Sequence, residues 1–161
     1  MKSHSYHSHI RWTGNRGTGT TDYHEYDRHW DIAIEGKPVI HCSNDPLLAG
    51  DPHKMNPEDL LLSALSACHM LWFLHYASEA GIVVTAYQDS PEAQGEIGRG
   101  GAGRFVKAEL KPRIVIRKGD SDMSEVIEKA SELHHAIEKV CFIARSVNFP
   151  VTCTPEYSVE A

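Results

Sequence analysis

The chain has 161 residues, of which 41% are hydrophobic and 24% charged, with a net charge of −6 at pH 7. A chain of this length forms one domain that buries roughly two-thirds of its unfolded surface, so disulfides are not needed for stability. With 22 acidic against 16 basic side chains, an extended nucleic-acid surface is not expected, because phosphate binding depends on clustered Lys and Arg.

The cysteines and histidines fit no common metal-binding or disulfide pattern. Cys42, Cys68, Cys141 and Cys153 form no CxxC pair, and the 11 histidines form no helical His pair with a carboxylate partner. No secretory leader is recognisable, and no apolar run reaches the roughly 20 residues that cross a bilayer. We expect a cytoplasmic protein with reduced thiols, no metal, no cofactor and no membrane contact.

The first elements along the chain are short strands. Ile10 and Trp12 alternate with polar residues, and Trp30 and Ile32 do so again, which predicts strands within residues 9–35. A glycine-rich turn carrying Arg16 lies between them. The following stretch, residues 39–55, reads as an irregular connection, a length that is typical of loops covering a site or a partner surface.

A long helix is predicted from Asn56 to Gly81. Asn56 is a good N-cap, Pro57 suits the first helical position, and Glu58 opposes the positive helix end. Gly81 can adopt the left-handed conformation that ends a helix. The residues between are apolar nearly all round, which is typical of a central helix buried on most sides.

A long antiparallel hairpin is predicted next, from residues 83–96 and 104–117 around a glycine-rich tip. Apolar residues then recur every three or four positions from Met123 to Val140, which predicts an amphipathic helix capped near Ser121. One closing strand is expected at residues 151–159. The order predicts a single α+β domain, with a core at about residues 9–159 and an antiparallel sheet. Two helices cannot cover that sheet, so a homodimer is expected.

Cys68 is the first candidate for chemistry. A thiol reacts as its thiolate, and a cysteine roughly twelve residues inside a helix lies beyond the influence of the helix N-terminus. Arg16 could supply the missing cation, and Glu58 could orient that guanidinium. From these residues alone, the thiol is equally well explained as a small core side chain, Arg16 as a turn residue and Glu58 as a helix-end charge.

Glu58 and Cys68 cannot touch within one straight helix. Ten positions separate them by about 15 Å along the axis and by about 80° around it. If both serve one site, the helix is kinked or one of them comes from a second chain.

Several blocks resemble the OsmC/Ohr family of thiol-dependent hydroperoxide reductases. They are Asn15-Arg16-Gly17-Thr18-Gly19, Asn56-Pro57-Glu58-Asp59-Leu60-Leu61 leading to Ala67-Cys68-His69, and His135 with Cys141-Phe142-Ile143-Ala144 and Ser146-Val147. They occur in order over roughly residues 9–157. The context of Cys68 is closer to the broad OsmC-like branch than to the organic-hydroperoxide-resistance branch.

The resemblance implies an OsmC-like fold, an intertwined homodimer, and reduction of organic hydroperoxides in oxidative-stress defence. It makes Cys68 the peroxidatic cysteine and Cys141 the resolving cysteine, with Arg16 as partner of the thiolate and Glu58 holding Arg16. An external dithiol would reduce the resulting disulfide. No role is predicted for Cys42 or Cys153.

Two other functions stay open on the sequence. One is a dimeric, stress-associated small-molecule-binding protein whose buried thiols do no chemistry. The other is a histidine-rich metal protein holding zinc or nickel. Peroxide treatment separates the first from the enzyme, and metal analysis tests the second.

Overall fold

The computed structural model describes residues 3–160. The chain forms two compact units, one up to Leu61 and one from Leu62 onward. The α+β class predicted from the sequence is confirmed, and the described part contains two α-helices and three three-stranded sheets.

The first unit contains an antiparallel sheet of β1 (His9–Trp12), β2 (Trp30–Ala33) and β3 (Ile40–Cys42), with β2 in the middle. β1 and β2 form where the alternating pattern predicts them. The prediction of an irregular connection from residue 39 to 55 is wrong in part, because β3 and a short 3-10 turn at Pro46–Leu48 lie within it. Cys42 is therefore a buried strand residue.

Helix α1 spans Pro57–Glu79, close to the predicted limits. Its start is a reciprocal cap: the amide of Asp59 donates to Asn56 Oδ1 at 2.7 Å, and the amide of Asn56 donates to Asp59 Oδ2 at 3.1 Å. At the other end Gly81 has a φ of 73°, a left-handed conformation that favours glycine.

Burial of α1 differs from the prediction. Within the chain the helix buries one stripe at four-residue spacing, namely Leu65, His69, Phe73 and Ala77. The opposite stripe, which includes Ala67 and Leu71, is exposed, and Leu71 is 63% exposed. The expectation of a helix buried on most sides is therefore not met by the chain alone.

By length and composition α1 is apolar enough to cross a membrane, in contrast to the expectation that no apolar stretch of the chain reaches that length. A single helix of this kind is weak evidence for a membrane span, because core helices of soluble proteins also pass the same test.

The second unit contains two sheets built on one interrupted hairpin. The hairpin strands are β4 (Val84–Asp89), β5 (Glu92–Ile97), β6 (Gly103–Leu110) and β7 (Pro112–Arg117). β5 pairs with β6 and β4 with β7, both antiparallel, as the predicted hairpin requires. The hairpin changes sheet at Pro91 and Lys111, so that β4 and β5 belong to different sheets.

The predicted closing strand is two strands, β8 (Val151–Cys153) and β9 (Glu156–Glu160), separated by Thr154 and Pro155. β8 pairs with β6 and β9 with β7, and both pairings are parallel. The predicted antiparallel pairing therefore holds for the hairpin strands of this unit, but not for β8 and β9, which run in the same direction as the strands they join.

Helix α2 (Met123–Ile137) packs against the second unit's core. Its N-cap is Asp122, next to Ser121 as predicted, and the Asp122 carboxylate accepts the Ser124 amide. The core is formed by apolar residues from α1, β7, α2 and the turns that follow the helices: Phe73, Ala77, Ile82, Ile114, Ile116, Ala130, Ile137 and Cys141.

Candidate functional site

Two thiols meet where α1 and the turn after α2 pack together. Cys68 lies on α1 and is half-buried, and Cys141 is 1% exposed at the turn. Cys68 packs against the core cluster that contains Cys141 and lies near enough to influence the pKa of the Cys141 thiol, and both cysteines are free thiols. The turn is fixed by the Cys141 amide, which donates to the carbonyl of Ile137 at 2.8 Å. This arrangement brings together two thiols that are remote in sequence.

Burial makes Cys141 a weak acid. Removal from water raises the pKa of its thiol to about 11, and the neighbouring Cys68 thiol acts in the same direction. Backbone amides of Ile143 and Ala144 oppose this shift without cancelling it. The Cys141 thiol therefore keeps its proton at neutral pH.

Arg16 and Glu58 both belong to the first unit, but they are not paired there. Arg16 donates to the carbonyl of His24 and lies 3.7 Å from a carboxylate oxygen of Asp27. Glu58 is exposed in the first turn of α1 and pairs with none of the residues that the structure describes. Within one chain Arg16 is held by Asp27, and its pairing with Glu58 stays a prediction.

A cavity of about 170 Å³ borders the buried thiol. Its walls include Cys141, His69, Glu138, Phe149 and Cys153. It offers mixed polar and apolar walls next to the dithiol, which suits a small molecule with one polar group.

A second group of chemically active side chains lies in the same unit. His69 Nε2 is 2.7 Å from His134 Nδ1, and Cys153 Sγ is 3.4 Å from the same nitrogen. The other nitrogen of His134 is 3.0 Å from the Tyr157 hydroxyl. Burial lowers the pKa of His69 and lowers that of His134 to about 3, so both rings are neutral at physiological pH.

This second group was not predicted from the sequence. His69, His134 and Cys153 come from three different elements, and their spacing matches no metal or catalytic motif. The only available signal was that His69 and His134 occupy inward positions of two apolar helix patterns.

Comparison with known proteins gives one family and several solved structures that share the fold. The model of the family described as OsmC-like protein matches residues 50–156. An OsmC-like protein of unknown function from Vibrio cholerae is 27% identical, with a TM-score of 0.81 over 97% of this chain and 100% of the other. No curated protein matches the sequence.

Two further structures share the fold at lower identity. An organic hydroperoxide resistance protein from Elizabethkingia anophelis has a TM-score of 0.68 at 20% identity, over 98% of this chain and 100% of the other. An organic hydroperoxide resistance protein from Legionella pneumophila, also described as a predicted redox protein, has a TM-score of 0.65 at 15% identity, over 98% and 99%.

Proposed function

The chain belongs to the OsmC-like family, and from this premise we propose that it is a cysteine-based peroxidase that reduces organic hydroperoxides. Cys68 is the peroxidatic cysteine and Cys141 the resolving cysteine. The observation that carries this proposal is the proximity of two free thiols at one core cluster, Cys68 half-buried and Cys141 fully buried.

The assignment of roles follows from the surroundings of the sulfurs. A peroxide reaches the half-buried Cys68 more readily than the 1% exposed Cys141. The raised pKa of Cys141 keeps that thiol protonated at neutral pH, so it is a poor first nucleophile. As a neighbour of Cys68 at the same core cluster, it would attack after Cys68 has been oxidised.

The two steps balance. The Cys68 thiolate attacks the terminal oxygen of the hydroperoxide, the O–O bond breaks, and the alkoxide takes a proton to leave as an alcohol. Cys68 is now a sulfenic acid. The Cys141 sulfur attacks it, the S–O bond breaks and water leaves, giving a disulfide. An external dithiol then exchanges with this disulfide and restores both thiols.

Arg16 and Glu58 complete the proposal as groups that orient and activate Cys68, in the same chain or across a dimer. An arginine beside a thiolate favours its ionised form, and a carboxylate fixes the guanidinium fork. In the single chain Arg16 contacts Asp27, so formation of the active arrangement requires Arg16 to exchange partners.

A preference for organic hydroperoxides is supported by the apolar residues around the dithiol. Trp72 packs against the core cluster that contains Cys141, and Phe142 next to it is 62% exposed. These rings favour an alkyl or aryl group over hydrogen peroxide, because binding that group buries apolar area. The related proteins from Elizabethkingia and Legionella are named for organic hydroperoxide resistance.

Peroxide consumption with three single variants tests the proposal. With cumene hydroperoxide and a dithiol reductant, Cys68→Ser abolishes turnover. Cys141→Ser consumes about one equivalent and then stops with an oxidised Cys68, because no second thiol resolves it. Cys42→Ser is the matched control, since Cys42 is equally buried but lies in the first unit, and it keeps full turnover.

Mass spectrometry of the native protein gives the decisive outcome. After one equivalent of peroxide the enzyme contains a Cys68–Cys141 disulfide. Intact thiols after the same treatment contradict the proposal and leave the small-molecule-binding function as the better explanation.

A further inference from the structure

Three side chains that commonly bind metals converge in the second unit, outside the dithiol. They are His69 on α1, His134 on α2 and Cys153 on β8, and one ligand atom from each lies within 4.8 Å of the others. We propose that these three residues bind a zinc-class divalent ion, with one coordination position open toward the neighbouring cavity.

The distances suit such an ion after a small movement. Tetrahedral zinc holds a nitrogen and a sulfur about 3.5 Å apart and two nitrogens about 3.3 Å apart. Cys153 Sγ and His134 Nδ1 already have this spacing, at 3.4 Å. His69 Nε2 is 2.7 Å from His134 Nδ1, so the two nitrogens must separate by about 0.6 Å as the ion replaces the proton they share.

His134 is held in the orientation that a ligand needs. Its Nε2 is 3.0 Å from the Tyr157 hydroxyl, and its ring lies 4.6 Å from that of Phe73 in a stacked geometry. Metal-binding histidines almost always have the second ring nitrogen hydrogen-bonded in this way, which fixes the tautomer and aims the free lone pair. Here the free lone pair of Nδ1 faces His69 and Cys153.

The surroundings provide room and an unused donor. His69, Glu138 and Cys153 line the cavity of about 170 Å³, which has space for a water as fourth ligand. The hydroxyl of Tyr87 is buried without a hydrogen-bond partner among the described residues, and it lies within electrostatic range of Cys153. An unpaired buried hydroxyl beside a thiol is a donor that a metal-bound thiolate can accept.

The three proposed metal ligands are not the cysteines of the proposed redox pair, and metal binding by them does not depend on peroxidase activity. Cys68 directly precedes His69 in α1, so the dithiol is the competing place where an ion could bind. Variants that remove either the two dithiol sulfurs or the Cys153 sulfur distinguish these two candidate sites.

Cobalt(II) is the probe, because a thiolate ligand gives it a charge-transfer absorption that histidines alone do not. Tag-free, chelator-treated protein is titrated without oxygen, in the presence of a phosphine reductant. The native protein binds one Co²⁺ per chain with that absorption, and Zn²⁺ displaces it. The double variant Cys68→Ser/Cys141→Ser, which carries no dithiol, does the same, as does the control Cys42→Ser.

Two variants remove parts of the proposed site. Cys153→Ser loses the charge-transfer absorption and weakens binding by more than about 100-fold, beyond what a change outside the ligand set costs. Tyr157→Phe retains the absorption but binds about 10- to 100-fold more weakly, because His134 is no longer oriented. Circular dichroism checks that each variant is folded, and Tyr157→Phe carries the test if Cys153→Ser is not.

Three outcomes overturn the proposal: no charge-transfer absorption with native protein at micromolar Co²⁺, an unchanged absorption in folded Cys153→Ser, or loss of the absorption in the double dithiol variant. The last outcome assigns the metal to Cys68 and Cys141. Peroxide consumption is measured on metal-free protein, so failure of the metal proposal leaves the proposed peroxidase function standing. Failure of the peroxidase proposal likewise leaves the metal proposal standing.

Discussion

At the scale of single residues, the two neighbouring thiols differ in accessibility. Cys68 is half-buried and Cys141 fully buried, and desolvation raises the pKa of Cys141 to about 11. A nucleophile with so high a pKa is scarce as its thiolate at neutral pH, although each thiolate formed is strongly nucleophilic. Resolution by Cys141 is therefore the step in which acidity limits the rate.

We expect disulfide formation after peroxide oxidation to become faster with rising pH. Because pH 7 and pH 9 both lie below the Cys141 pKa of about 11, the thiolate fraction rises about tenfold for each pH unit between them. Rapid-quench mass spectrometry of the disulfide after one equivalent of peroxide measures this rate. A rate that is constant or falls over this range contradicts the proposed role of Cys141.

The candidate site could be predicted from the sequence only where residues stand in recognisable blocks. Cys68 and Cys141 each lie in such a block, and both side chains pack at the same core cluster. His69, His134 and Cys153 could not be predicted as a group, because their proximity depends on how α1, α2 and β8 pack. Arg16 shows the opposite case. It lies in a recognisable block, but nothing in the sequence indicates that Asp27 is its partner in the chain.

At the scale of elements, the limits of a helix can be predicted better from the sequence than the pairing of distant strands. The limits of α1 follow from Asn56, Pro57 and Gly81, each of which acts through its own backbone or cap. The parallel pairing of β8 and β9 with β6 and β7 carries no local signal, because nothing in residues 151–160 specifies which strand they join. The break at Thr154 and Pro155 was not predicted either, since one continuous strand was expected there.

The cap of α1 gives a stability prediction. Asn56→Ala removes the acceptor for the Asp59 amide and lowers the free energy of unfolding by about 1 kcal/mol. Asn56→Asp retains a side-chain acceptor at the cap and loses much less. Urea denaturation followed by circular dichroism measures both, and equal losses in the two variants argue against a capping role.

Asp89, at the end of β4, ties the sheet junction to α1. Its carboxylate accepts the Lys111 amide at 2.7 Å and the Ser66 hydroxyl at 2.5 Å. Asp89→Ala leaves both donors unpaired, and we expect a loss of about 2–4 kcal/mol. Glu92→Ala is the control: Glu92 forms an exposed ion pair with Lys111, and its removal costs less than about 1 kcal/mol in the same denaturation experiment. Similar losses in both variants contradict the role given to Asp89.

At the scale of the whole molecule, the exposed stripe of α1 is the feature that a single chain does not explain. Ser63, Ala67, Leu71 and His75 lie opposite the buried stripe of a helix that is apolar overall, and Leu71 is 63% exposed. Small side chains beside an exposed leucine allow a second helix to approach closely. The proposed homodimer would cover this face.

A charge at this face tests the dimer. Leu71→Arg shifts the protein from dimer to monomer in light scattering after size exclusion, because a buried unpaired guanidinium is costly at an interface. Ile97→Arg adds the same charge at a similarly exposed position, 65% against 63% for Leu71, and leaves the dimer intact. A native protein that is monomeric, or a Leu71→Arg variant that remains dimeric, rules out this interface.

The parallel strands β8 and β9 have a consequence for synthesis. Each completes a sheet whose other strands were made earlier, by pairing with β6 or β7 at a side that is otherwise open. While the nascent chain is still attached to the ribosome, both hairpin strands present unpaired amides and carbonyls until residues 151–160 emerge. The second unit therefore matures only after translation of its final segment, and chaperones that shield strand edges would act during that interval.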